Sequence, residues 1–311
     1  MTTSSSILRV MIRKPLSIQP IPYQGSKRAL APRICSLFPE KVGTLYEPFA
    51  GSAAITLFAA THDLAEKFVI GDCYGPLVEL WKLIIENPSE VSERYAEVWH
   101  AQFEIGLSHF KDVRSQYNEN SDPVLLLYLI ARCVKNAVRF NKEGKFTQSA
   151  DKRRTGMKPD RLTRTAHAVS RLLKGRTTTF HGDFLGCING SERNDLIYMD
   201  PPYHGTTYGT DKRYASGLER ERLIDGLHHL DKESIPYILS YDGQMGDKVY
   251  GEPLPSTVNA DHLAIHAGRS SQATISGKIA ETIESLYVSR SLNAQDADIY
   301  RPKPAQERLF A

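Results

Sequence analysis

Leu196-Ile197-Tyr198-Met199-Asp200-Pro201-Pro202-Tyr203 is a run of four apolar residues that meets an acid and two prolines. An unbroken apolar run, without alternation, is the pattern of a strand buried on both faces, and such strands belong to parallel sheets covered by helices. Prolines cannot donate to a ladder, so the strand ends there and the chain stiffens at its carboxyl end. That end is where open α/β sheets bind ligands. Working outward, Thr44–Phe49, Phe68–Gly71, Thr177–His181 and Tyr237–Ser240 carry the same short β-branched and aromatic signal. His262–His266 and Ser285–Val288 predict a closing antiparallel pair. Ala53–Ala60 and Leu218–Leu230 have helical spacing. The alternation predicts an α/β fold.

Between Leu77 and Arg176 the strand signal stops. Glu79–Ile85, Val91–Phe110, Pro123–Val138 and Thr163–Lys174 read as helices, the third carrying the apolar run LLLYLIA. The expected division is therefore a discontinuous α/β domain, residues 1–80 and 176–311, around a helical domain at 81–175, a sufficient size for a separate unit. Charge follows the same line. From Arg132 to Arg176 there are fourteen Lys or Arg against Glu143, Asp151 and Asp160, a net +11 in a chain whose total is only +3. A basic block on an otherwise acidic chain predicts a polyanion bound at one place. The 311 residues are 41% hydrophobic and 24% charged, which excludes disordered and fibrous classes. No apolar run is long enough to span a bilayer, and Arg9 interrupts the first apolar stretch, so a membrane span and a secretory signal are not expected. Cys35, Cys73, Cys133 and Cys187 lie far apart, in neither a zinc nor a disulfide spacing, which fits a reducing cytoplasm.

Two motifs carry chemistry. Glu47-Pro48-Phe49-Ala50-Gly51-Ser52-Ala53 ends one strand and opens a helix. A glycine there lets the backbone approach a ligand, and the helix start offers unpaired N–H groups. Asp72 follows Gly51 by 21 residues at the end of the next strand, where such sheets place an acid for ribose hydroxyls. That pair fits nicotinamide cofactors and S-adenosylmethionine alike, but a single glycine gives little support to a pyrophosphate cradle. Asp200-Pro201-Pro202-Tyr203 suits alkylation of an sp² amine, a poor nucleophile whose lone pair is delocalised. The Asp200 carboxylate and the Pro201 carbonyl can accept its two hydrogens and steer the lone pair toward an electrophile. Tyr203 can stack on a base that has left its helix.

In this order and spacing, EPFAGSA and DPPY resemble the Dam-like (alpha-type) S-adenosylmethionine-dependent DNA adenine-N6 methyltransferases. Pro22-Tyr23-Gln24-Gly25-Ser26-Lys27-Arg28 resembles the segment covering the methionine part of the cofactor in that family, so the resemblance implies that Tyr23 packs on the cofactor, with Gly25 in the turn, and that Lys27 meets its carboxylate. It implies ribose binding by Asp72, adenine contact by Asp183 in FHGDF, and further cofactor contacts from Glu47, Pro48, Phe49, Gly51 and Asp200. Asp200, Pro201, Pro202 and Tyr203 take the catalytic positions. Arg139-Phe140-Asn141 with Gly144 and Phe146 is similar to the family's DNA-contacting hairpin, and Glu284-Ser285-Leu286-Tyr287-Val288 to its C-terminal strand. The implied fold is a Rossmann-like, seven-stranded methyltransferase sheet with an inserted helical DNA-recognition domain. The likeness runs from about residue 20 to about 290. It departs at Ala53, where the family often has a second glycine, and at Thr147-Gln148-Ser149, where Asn and Pro commonly follow the phenylalanine.

The expected reaction is site-specific methylation of N6 of a flipped-out adenine in double-stranded DNA, with S-adenosyl-L-homocysteine as product and no metal. A cognate restriction endonuclease is the expected partner, and a bacterial or phage-encoded cytoplasmic protein the expected setting. The basic segment supplies the DNA contacts: Arg139 for a guanine edge, Asn136 or Asn141 for an adenine edge or a phosphate, and Lys135, Lys145, Lys152, Arg153 and Arg154 for phosphates. Phe140 or Phe146 is the expected wedge into the space of the flipped base. Arg269, in a loop Gly268–Gln272, is a further DNA contact, and Tyr208 and Tyr214 are lid candidates. Competing readings are N4-cytosine methylation, amine methylation of RNA, and a catalytically silent DNA-binding regulator; a nicotinamide oxidoreductase ranks behind them.

Overall fold

The computed structural model describes residues 18–202, 220–245, 248–250, 253–269 and 281–292. The chain opens with a 3-10 turn, Lys27–Ala29, and α1 (Ala31–Cys35), then runs through β1 (Thr44–Glu47), α2 (Ala54–Thr61) and β2 (Lys67–Asp72). Five helices follow before the next strand: α3 (Gly75–Glu86), α4 (Pro88–Ile105), α5 (His109–Asn120), α6 (Pro123–Arg132) and α7 (Pro159–Leu173). The remainder alternates again, as β3 (Thr177–His181), α8 (Phe184–Cys187), β4 (Leu196–Met199), α9 (Arg220–Glu233), β5 (Tyr237–Met245), β6 (Lys248–Tyr250), β7 (Ala260–Arg269) and β8 (Glu281–Ser289).

Seven strands line up in the order β3-β2-β1-β4-β5-β8-β7, and the short β6 folds back on β5 as an eighth. The five from β3 to β5 are mutually parallel. Strand β8 runs antiparallel to both β5 and β7. This is a mixed α/β sheet of the Rossmann-like kind, parallel but for its closing strands. The apolar run of β4 has its explanation in the two cores. Leu196 and Tyr198 join the core shared with α1 to α7, whereas Ile197 and Met199 join the core under α8 and α9. With helices on both faces, no position of β4 can be polar.

Two expected helices are shorter than their apolar spacing suggests. The helix expected over Val91–Phe110 is two helices, α4 and α5, because Gly106 takes φ +81° and closes α4. The helix expected over Pro123–Val138 stops at Arg132, where Cys133 turns extended (φ −77°, ψ 164°). Lys135 and Asn136 then take left-handed conformations, φ +60° and +52°. Helix α6 starts firmly: the Asp122 carboxylate accepts from the N–H groups of Val124 (2.8 Å) and Leu125 (3.1 Å). Its residues Val124 to Ala131 are all buried, packed by α3, α4 and α5, which is why its apolar residues show no polar face. Between β2 and β3 the described backbone has no strand, only two isolated bridges, Cys133↔Ala150 and Phe140↔Phe146.

Candidate active site at the strand ends

The turn after β1 is held from several sides. Gly51 has φ +47°, a conformation that strains any other residue, and a Cβ there would just touch the Tyr23 ring at 3.4 Å. Ala53 is also left-handed, φ +45°, and is fully buried; its methyl group is accommodated where a glycine would be unstrained. The Gly51 carbonyl accepts from Trp81 Nε1 at 2.9 Å, and its N–H donates to Asp72 Oδ2 at 3.2 Å. Asp72 Oδ1 accepts from the Tyr74 N–H at 3.0 Å. One carboxylate thus joins the turns that follow β1 and β2, and burial raises its pKa despite those donors. Gly71, just before it, has no room for a side chain: a Cβ would lie 2.4 Å from Cys187 Sγ and 3.2 Å from Pro48 Cα.

Glu47 does something the sequence did not announce. Ala53 stands at the N-cap of α2 without a capping side chain. The buried Glu47 carboxylate reaches up from β1 and accepts from the Thr56 N–H at 2.9 Å, satisfying a donor of that helix start. Burial is the largest influence on it and lifts its pKa to about 7; the bonds to Thr56 and Ile55 oppose the rise, and the Asp200 charge adds to it.

Asp200 follows β4 at the carboxyl edge, half-buried, with Pro201 buried behind it and Pro202 half-buried. Its Oδ1 lies 2.9 Å from Lys27 Nζ, which is only 8% exposed and is also 3.5 Å from Glu284 Oε2 on β8. Lys27 is carried in by the N-terminal segment, fastened by the Ser52–Ser26 hydroxyl bond at 2.8 Å. Gly25, φ +84°, turns that segment between Tyr23 and Lys27. On the other side of the β1 turn, Phe49 stacks on Phe184 with ring centroids 5.5 Å apart. Asp183 caps α8 by accepting from the Leu185 N–H at 3.0 Å and pairs with Arg222 of α9 at 2.9 Å. Tyr203, Tyr208, Tyr214 and Ser270–Gln272 lie outside the described residues, as does the side chain of Arg269 at the end of β7.

The basic segment 133–158 lies alongside this edge and is joined to it twice. The Gln24 N–H donates to the Asn136 carbonyl at 3.1 Å, and the Phe140 ring packs against Tyr74 at 4.8 Å. Lys135, Lys145, Lys152, Arg153 and Arg154 are exposed, Arg153 at 89%, and Arg139 is half-buried. Arg154 is ion-paired with Asp151 at 2.8 Å, and the bond from the Arg153 N–H, reinforced by that from Arg154, holds the Asp151 carboxyl below its usual range. Three of the expected DNA contacts have partners inside the fold. Phe140 and Phe146 are buried against one another and against Tyr74 and Tyr117, so their rings are core and not a protruding wedge. The Asn136 amide donates to the Ile130 carbonyl at 2.9 Å, where α6 ends. Asn141 Oδ1 accepts from the N–H groups of Glu143 and Lys145, which makes it the brace of the turn. Sequence reasoning missed Glu284 as a member of the site, although it had placed the strand; an acid opening a closing strand is too common to stand out.

The model for D12 class N6 adenine-specific DNA methyltransferases matches residues 23–269. The type II methyltransferase M.FokI of Planomicrobium okeanokoites is 26% identical over 286 residues, covering 87% of this chain and 43% of the relative. The modification methylase StsI of Streptococcus sanguinis is 24% identical, covering 92% of this chain and 45% of the relative. This chain therefore spans less than half the length of those two proteins. The DNA adenine methylase of Haemophilus influenzae is 25% identical over 241 residues, 73% of this chain and 81% of the relative. With a family model spread over most of its length, from the Tyr23 segment to the end of β7, the chain belongs to the D12 class N6 adenine-specific DNA methyltransferases.

Proposed function

We propose that this chain moves a methyl group from S-adenosylmethionine to N6 of an adenine flipped out of duplex DNA. The observation that carries the reading is the sharing of one sheet edge by an amine-orienting acid, Asp200 ahead of two prolines, and the Gly51 turn with the Asp72 carboxylate bonded to it. The residues present suit the cofactor. Asp72 keeps acceptor capacity for ribose hydroxyls, Phe49 and Phe184 offer apolar walls for an adenine, with Asp183 at its edge, and Tyr23 with Lys27 borders the methionine end. S-adenosylmethionine supplies a methyl group on a positively charged sulfur. Asp200 and the Pro201 carbonyl accept the two amino hydrogens, concentrate the lone pair on N6, and stabilise the positive charge that develops as the new N–C bond forms. The amine then gives up one proton, for which Asp200 is the nearest named acceptor. Tyr203 stacks on the extruded base.

In this reading residues 1–80 and 176–311 perform the transfer and 81–175 read the DNA, with Lys135, Arg139, Lys145, Lys152, Arg153 and Arg154 as its cations toward the backbone and a base edge, and Arg269 of the transfer domain adding one more. The relative StsI bears the name modification methylase, and in our reading this chain stands beside a cognate restriction endonuclease in a bacterial or phage-encoded, cytoplasmic setting. Single-molecule sequencing of DNA from a methylation-free host expressing the chain tests this directly. N6-methyladenine in one short motif is the expected result; N4-methylcytosine in its place, or unmodified DNA from protein that binds cofactor, overturns the reading. In the same assay Asp200→Ala abolishes methylation while cofactor affinity changes by less than about threefold. An Asp200→Ala variant with full activity removes that residue from its role.

A further inference from the structure

We propose that Glu284 is a positioning residue for methyl transfer, acting on Asp200 through Lys27; this rests on the function proposed above. Three distant segments meet here: Lys27 from the turn before α1, Asp200 from the end of β4, and Glu284 from β8, where its backbone is paired with Gly243 of β5 and Ile265 of β7. The ammonium is buried and lies 2.9 Å from one carboxylate and 3.5 Å from the other. Had it Asp200 alone as a partner, the pair would be neutral, and the lone pairs that must accept from the adenine amine would be drawn toward Lys27. A second carboxylate divides that attraction. Among the described residues two carboxylates face this one ammonium, so negative charge stands beside the site where positive charge develops on N6, a stabilisation that a partly desolvated edge strengthens. Glu284 also fixes Nζ in space, and the ion pair in turn fixes the rotation of the Asp200 carboxylate. Its mount is a strand bonded on both sides, so the anchor is stiffer than the N-terminal segment that brings the lysine. Burying three charges together is a poor means of stabilising a fold, which argues for a role in orientation.

Replacement of Glu284 with Gln keeps the volume and removes the charge. In purified full-length protein, Glu284→Gln lowers kcat by roughly tenfold to a hundredfold, the scale of a small misplacement of a reacting group. Its KM for DNA and its Kd for S-adenosylmethionine stay within about threefold of wild type. A residue that only stabilises the fold would shift melting and both affinities together. Lys27→Met lowers kcat as well, and adding Glu284→Gln to it costs less than about threefold more, because the path through the lysine is already cut. If Glu284→Gln does not fold, Glu284→Asp restores the charge one methylene short and gives an intermediate kcat. Wild-type kcat in Glu284→Gln, wild-type kcat in a Glu284→Asp variant used in its place, or an equal loss in both Lys27 backgrounds, overturns the proposal. A wild-type protein that binds cofactor and methylates nothing overturns the function beneath it, and with it the role of Glu284.

Discussion

Two irregular stretches flank the edge of the sheet, and each has a carbonyl held by one of the two tryptophans in the chain. Trp81 Nε1 donates to Gly51 in the turn after β1, and Trp99 Nε1 donates to Thr155 in the basic segment, at 2.9 and 2.8 Å. There the likeness ends. The Gly51 turn is seven residues long and rests on the sheet itself, through the Ala50 bond to the Gly71 carbonyl, the Asp72 carboxylate and the Glu47 cap. The basic segment has two bridges of its own and is otherwise fastened by side chains of α4, α5 and α6. Tyr95 donates to the Met157 carbonyl, Arg114 to those of Thr147 and Gln148, and Arg132 to that of Asp151, while Asn118 holds both backbone groups of Phe146. One region is built by local backbone geometry. The other is an irregular chain whose polar groups find long-range side-chain partners, the other way to satisfy backbone that no ladder serves.

The comparison breaks most visibly at the tryptophans. Trp81 is fully buried, and Trp81→Ala removes a large side chain from the core between α3 and the turn, with an expected loss of about 3–5 kcal/mol. The Gly51 carbonyl loses its donor at the same time, so cofactor affinity falls by more than tenfold in calorimetric titration. Trp99 keeps 9% of its surface exposed and meets Phe103 edge to face. Trp99→Ala lowers the melting temperature less and weakens DNA binding, with cofactor affinity close to wild type. Equal loss of cofactor affinity in the two variants would show that the stretches are one mechanical unit.

Glu47 offers the next largest effect and probes the turn alone. Its carboxyl titrates near 7 in the fold against about 4.5 when exposed. Between those two values the folded protein binds a proton that the unfolded chain has released, so this group makes stability fall as pH rises through that window. The full difference, gathered below pH 4.5 and lost above about 7, is on the order of 3 kcal/mol. Glu47→Gln retains an oxygen to accept from the Thr56 N–H and cannot ionise. Subtracting the variant's stability from that of wild type, in chemical denaturation at pH 5 and pH 8, therefore gives a wild-type deficit that grows by about that amount. A difference that stays constant across the range would mean that Glu47 is ionised in the fold at both.

The contrast between the stretches also explains how far the sequence could be read. The strands were legible because their periodicity is a direct image of burial: β3 and β4 fall on the expected residues, and the DPPY acid sits at the edge that its prolines demand. The Gly51 turn was legible because its ligands, Asp72 included, lie within one strand–helix–strand unit. The Glu47 cap was not, since the missing signal is an absence at Ala53, filled by a residue six positions earlier. The helix ends went astray where a single backbone angle, at Gly106 or Cys133, overrode a continuing apolar pattern. In the basic segment, residue type alone suggested DNA contacts for the cations and a wedge from Phe140 or Phe146. Partners 28 to 62 positions away hold the backbone at Phe146, Met157 and Thr155, and no local spacing announces them. The Lys27–Asp200–Glu284 cluster joins residues more than 250 positions apart, and no spacing rule reaches that far.

Asn118 gives the smallest effect and the sharpest one, because it touches the basic segment at a single residue. Its side chain copies a neighbouring strand: Oδ1 accepts from the Phe146 N–H at 2.8 Å and Nδ2 donates to the Phe146 carbonyl at 3.2 Å. Phe146 is buried, so Asn118→Ala leaves a donor and an acceptor without that partner in a place water reaches poorly, at a cost of about 1–3 kcal/mol. That cost is charged to the small hairpin of Arg139 to Thr147, not to the sheet. Amide exchange at Phe146 quickens by roughly tenfold or more, DNA affinity falls, and the Kd for S-adenosylmethionine stays at its wild-type value. Asn118→Asp retains the acceptor and loses the donor, so its effect is about half as large. If the hairpin opens and cofactor affinity drops with it, the Gln24–Asn136 and Tyr74–Phe140 contacts transmit the change to the turn, and the division between a locally built site and a remotely fastened reader fails.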